Sequence, residues 1–90
     1  MVRPKTKQSN KNQDLLNTSN KLILYNDDIN TFDFVIESLV EVCGHDFEQA
    51  EQCALIAHYK GKCSVKSGIF EDLSVMSHEL TIRKLTVVIE

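Results

Sequence analysis

The chain has 90 residues, 42% hydrophobic and 26% charged, with three Gly, one Pro and no Trp. That length makes one domain, and the composition is too apolar for a wholly disordered chain and too charged for a membrane protein. The formal charge of −3 is a cancellation: residues 1–21 carry Arg3, Lys5, Lys7, Lys11 and Lys21 against Asp14, a balance of +4, and residues 22–90 carry −7.

Residues 1–20 hold few apolar side chains beyond Val2 and the Leu15–Leu16 pair. They cannot offset their ordering entropy, so a disordered N-terminal extension, 1–20, is expected ahead of a folded domain, 21–90. No apolar run follows this polar start, so no signal peptide is expected and the expected compartment is the cytoplasm. No run approaches the ~20 apolar residues that span a bilayer, so no membrane partner is expected. An acidic folded part also argues against a nucleic-acid partner, because phosphate contacts need clustered Lys and Arg.

Lys21–Tyr25 is a short apolar run ended by Asn26-Asp27-Asp28, which reads as a strand and a loop. Asn30 is placed to cap the next helix, with Asp33 near its positive end. Phe32, Val35, Leu39, Val42 and Cys43 recur at helical spacing until Gly44. Asp46-Phe47-Glu48-Gln49 has the form of a capping box and opens a second helix with the small-residue stripe Ala50, Cys53, Ala54 and Ala57. Gly61 is placed to end it. Lys62–Lys66 alternates polar and apolar as a half-buried strand, broken by Ser67-Gly68. Leu73, Met76 and Leu80 mark a shorter third helix, and Leu85, Val87 and Ile89 a last strand. The expected fold is α+β, in the order β-α-α-β-α-β, with three helices on one face of a three-stranded antiparallel sheet.

Cys43, Cys53 and Cys63 form an odd set with no recurring metal-ligand spacing to His45 or His58, so buried thiols are expected and no metal or cofactor. Two segments carry chemistry. Asn26-Asp27-Asp28 is either a turn, since these residues bond their own backbone, or a site for a metal, acid–base work or an ammonium group. His58 at the end of the second helix is either a dipole-favoured helix terminus or one wall of a pocket, with Ala54 and Ala57 leaving room beside it. Adjacent carboxylates seldom flank one substrate, and no Gly-rich elbow or phosphate loop is present, so an enzyme is not expected.

Asn26-Asp27-Asp28, the Phe32/Phe34-Val35-Ile36 helix start, Gln49-Ala50 and His58-Tyr59-x-Gly61-Lys62 stand in the order and at the spacing of one family. Over roughly Leu22 to Val65 the chain resembles the ClpS adaptors of Clp proteases. The resemblance implies an N-end-rule adaptor that binds a free α-amino group and a bulky first residue (Phe, Leu, Tyr or Trp) and hands the substrate to a Clp AAA+ ATPase. By position, Asn26, Asp28 and His58 are the expected ammonium ligands, with Asp27 alongside. Asn30, Phe32, Val35, Ala54, Ala57 and, from the last strand, Leu85 are the expected side-chain pocket. Thr31, Phe32 and Ala54 depart from the family's usual Pro, Met and Met, and the aromatic Phe32 against the smaller Ala54 exchanges volume across one cavity. The basic extension matches the flexible segment that takes part in delivery. A peptide-binding module of the same fold without N-terminal specificity, and a hydrolase using Asp27, Asp28 and His58, are the alternatives.

Overall fold

A computed structural model describes residues 20–90. Three strands, β1 (Asn20–Tyr25), β2 (Lys62–Gly68) and β3 (Thr86–Ile89), and three helices, α1 (Phe32–Cys43), α2 (Phe47–Lys60) and α3 (Phe70–Ile82), follow one another as β-α-α-β-α-β. The sheet order is β2-β1-β3, with both pairings antiparallel. The apolar run therefore becomes the central strand, where Leu22, Ile23 and Leu24 are all buried. The expected extension lies outside the described residues except for Asn20, which opens β1 opposite Gly68.

The three helices bury their apolar positions against the sheet. Leu22, Leu24, Ile36, Leu39, Ala50, Ala54, Val65, Leu73, Leu80 and Leu85 belong to one core cluster. Burial of this apolar surface is the main driving force for the packing. Ala50, Cys53, Ala54 and Ala57 are the buried stripe of α2, and their small size lets this helix lie close to its neighbours.

Local signals set most helix ends. The Asp46 side chain accepts a bond from the Gln49 amide at 2.8 Å, and Gly61, at φ 95°, closes α2. Gly44, at φ 73°, closes α1. Lys66 Nζ also donates to the Cys43 carbonyl at the end of α1, placing a cation at the negative end of the helix.

Several expectations are corrected. The cap of α1 is Thr31, whose hydroxyl accepts from the Phe34 amide at 3.1 Å, and not Asn30, whose side chain is bonded elsewhere. The strand from Lys62 does not break at Ser67-Gly68, because both pair with β1. Helix α3 is not short: its 13 residues match the 12 of α1 and the 14 of α2. Leu85 precedes β3 and sits in the core.

The β1–β2 pairing contains a bulge. Leu22 faces Lys66 and Ile23 faces Ser64, so Val65 has no opposite residue. The buried His45 meets its carbonyl at 2.7 Å. A carbonyl only accepts, so His45 Nε2 carries the proton there. Nδ1 is buried with no partner among the described residues.

Candidate functional site

The exit of β1, the start of α1 and the last turns of α2 converge on one cavity. The Asn26 amide donates to the Gly61 carbonyl at 3.0 Å, which ties the exit of β1 to the end of α2. The cavity has a volume of about 520 Å³, within the usual range for small-ligand pockets. Asn26, Asp27, Asp28 and His58 supply its polar groups; Phe32, Val35, Ala54 and Ala57 supply apolar wall, and Asn30 also lines it. Nine of the ten residues expected at the site are thus brought together. Leu85 is not among the lining residues; it is a core residue, 3% exposed.

The two adjacent carboxylates differ in state. Asp27 Oδ1 accepts from the Ile29 and Asn30 amides, each at 2.9 Å, and Oδ2 accepts from Asn30 Nδ2 at 3.0 Å. Burial pushes the Asp27 carboxyl up, but the bonds from the Asn30 backbone, its side chain and the Ile29 backbone outweigh it and hold the group below the usual carboxylate range. Both Asp27 oxygens are therefore occupied by the loop itself. Asp28 makes no side-chain hydrogen bond among the described residues and is exposed on the cavity rim. The turn reading is realised on Asp27, and Asp28 lines the cavity with its carboxylate exposed.

Asn30 completes the loop. Its Nδ2 also donates to the Lys84 carbonyl at 2.9 Å, linking the loop to the turn between α3 and β3. Lys84 holds φ 74°, a left-handed conformation uncommon for a residue with a side chain.

Helix α2 contributes from the other side. Ala54 and Ala57 are buried small residues that leave volume in front of them, and His58 is exposed at the rim one turn after Ala54. The His58 ring meets Tyr59 edge-on, with centroids 4.9 Å apart and an interplanar angle of 76°. The end of α2 presents the negative pole of the helix, which favours a cation beside His58.

Four lining residues were missed in the sequence: Leu24, Tyr25, Leu55 and Tyr59. The last two had a signal, since each follows a predicted wall residue of α2 by one position. Tyr25 is held at the strand end by Lys62, whose Nζ lies 5.9 Å from the ring centroid, and by a bond from its hydroxyl to Glu90 Oε2 at 3.4 Å.

Among the described residues, no group of three or more His, Cys, Asp and Glu side chains can hold a metal ion. Burial pushes the Cys43 thiol up to about 11, with Lys66 opposing, and the Cys53 thiol up to about 12, with Cys63 and Cys43 adding to the rise. Neither is a thiolate nucleophile at neutral pH. Cys43 and Cys53 are buried as expected, and Cys63 is half-buried.

The family description "ATP-dependent Clp protease adaptor protein ClpS" matches residues 17–85. The chain belongs to the ClpS family. It is 37% identical over 70 residues to an "ATP-dependent Clp protease adapter protein ClpS" of Campylobacter jejuni, a match covering 78% of this chain and 65% of that protein. It is 45% identical over 42 residues to the ClpS of Erwinia tasmaniensis, covering 47% of this chain and 40% of the relative. Less than two thirds of each relative's length is thus spanned. The fold matches that of Agrobacterium tumefaciens ClpS2, solved bound to L-phenylalaninamide, with a TM-score of 0.74 at 21% identity over 79% of this chain and 93% of that one. No helix among the described residues is long and apolar enough to cross a membrane.

Proposed function

We propose that this ClpS-family chain is an N-degron adaptor. It binds the free α-amino group and bulky hydrophobic first residue of a substrate and delivers that substrate to a Clp AAA+ ATPase. The observation that carries this reading is the two-part cavity: Asn26, Asp28 and His58, whose side chains make no hydrogen bond among the described residues, adjoin apolar wall at Phe32, Val35, Ala54 and Ala57.

An α-ammonium brings a charge and three donors, so acceptors that include a carboxylate are its complement. Asp28 is free for this role, and Asp27 acts through the loop. The neighbour solved with L-phenylalaninamide supports the assignment, because that ligand joins a free α-amine to a phenyl side chain. Acetylation removes the charge and two of the donors, so an acetylated N-terminus is excluded. Side chains such as Phe, Leu, Tyr and Trp fill the wall region, and a Gly-initiated chain leaves it empty. The protein performs no chemistry on its ligand: Asp27 is spent on the turn, and the hydrolase reading loses its second carboxylate. The basic segment before β1, carrying Arg3, Lys5, Lys7 and Lys11, serves delivery and not binding.

The test is a titration of peptides that differ only at the first residue or its acetylation, with product monitored. Selective, amine-dependent binding without turnover supports the adaptor. Equal binding of all peptides supports the generic module, and turnover supports an enzyme.

A further inference from the structure

We infer that Asn30 is a specificity-determining residue that favours first side chains carrying a hydrogen-bond donor, namely a tyrosine hydroxyl or a tryptophan indole N–H, over phenylalanine. This rests on the N-degron reading above and concerns the choice made within the same cavity.

The side-chain amide of Asn30 is anchored by two acceptors. Its Nδ2 lies 3.0 Å from Asp27 Oδ2 and 2.9 Å from the Lys84 carbonyl oxygen. The low-lying Asp27 carboxyl is ionised at neutral pH and only accepts, and a backbone carbonyl also only accepts. Both partners demand N–H, so the amide has one orientation: a flip would set its carbonyl oxygen against two other oxygens. An amide nitrogen has two protons, and both are now committed. The Asn30 backbone amide is committed as well, to Asp27 Oδ1. What Asn30 retains is Oδ1, a pure acceptor with no partner among the described residues.

Asn30 is half-buried and lines the cavity with Phe32, Val35, Ala54 and Ala57, which carry no side-chain polar atoms. A fixed acceptor on a cavity that has such an apolar wall discriminates by what is left unpaired. A phenyl ring that covers Oδ1 strips its water and returns nothing, whereas a hydroxyl or indole N–H replaces the lost bond. The two anchors keep the acceptor in place, because Asn30 cannot rotate away without breaking both bonds.

The decisive comparison uses the full chain and three free-amino peptides identical after the first residue, which is tyrosine, 4-methylphenylalanine or phenylalanine. The methyl analogue has nearly the shape of tyrosine and no donor. Tyrosine is expected to bind about 3- to 10-fold tighter than 4-methylphenylalanine, the ratio for one net hydrogen bond at a partly open site. In Asn30→Ala the ratio is expected to collapse to about one while binding still requires the free amine. Because the ratio is also read on the unaltered protein, a poorly folding variant leaves the test intact. If all three peptides bind in an amine-dependent way and tyrosine equals its methyl analogue, this inference is overturned and the adaptor reading stands. If none binds better than its acetylated form, the adaptor reading fails and takes this inference with it.

Discussion

Asp27 and Asp28 are adjacent carboxylates in different settings, and alanine at each separates the roles proposed for them. Asp27→Ala removes three bonds of 2.9, 2.9 and 3.0 Å that hold Ile29 and Asn30. A bond to a charged group contributes about 1.5–3 kcal/mol where it is protected, but these bonds share one partly exposed turn, so the set is worth about 1–2 kcal/mol. For a domain of this size that lowers Tm by roughly 4–15 °C. Asp28→Ala removes no side-chain bond among the described residues and is expected to leave Tm within about 2 °C, since surface changes away from such features cost little. It removes a charge-assisted bond to the ligand, and is expected to weaken binding of a free-amino Phe peptide at least about tenfold. The pH dependence carries a second signature. The folded Asp27 carboxyl lies below its usual value, so its contribution is fully present above about pH 5 and is lost as pH falls below about 4. The Tm difference between the unaltered protein and Asp27→Asn therefore shrinks with acidification. Thermal denaturation and fluorescence anisotropy measure both effects. A variant at Asp28 that melts early, or one at Asp27 that keeps its Tm while losing ammonium binding, refutes the division.

Ala54→Met fills space that the buried alanine leaves beside Phe32; it is expected to weaken binding of Trp-initiated peptides more than Leu-initiated ones, and an unchanged ranking by competition binding counts against the volume argument. His45→Ala strands the Val65 carbonyl at the β-bulge, and should cost about 2–3 kcal/mol in chemical denaturation with peptide affinity unchanged once folded. Removal of residues 1–19, which spares Asn20 and its pairing with Gly68, is expected to leave peptide binding intact and slow ATPase-dependent degradation in a reconstituted assay. Loss of binding in that truncation contradicts the division between a gripping domain and a delivering extension.

What the sequence made legible was local. The Asp46–Gln49 cap, Gly44 and Gly61 lie within a turn of the helix ends they set, so α2 and the end of α1 are readable from spacing alone. Helix α3 lacks such marks. Its N-cap, Ile69, makes no side-chain cap bond, and beyond its end the left-handed residue is Lys84, not glycine, so its length had no signal. Asn30 and Thr31 are both good capping types, and a bond to Lys84, 54 residues away, decides between them. Leu85 alternates correctly with Val87 and Ile89, but the α3–β3 turn keeps it out of the strand and in the core. The same distant bond made the role of Asn30 unreadable, whereas Asp27 bonds within its own turn, and Asn26, Asp28, His58, Ala54 and Ala57 sit at the cavity because the strand exit and the helix end do.

As an N-degron site, the cavity reads a free chain end and the side chain beside it together. The deciding quantity is the affinity of the full chain for a peptide beginning with free Phe, against the N-acetylated form and the Gly-initiated form at equal ionic strength. Binding of the first is expected, with at least about a hundredfold loss for each of the others, because each lacks one half of what the cavity offers. Comparable affinity for the acetylated peptide would contradict it.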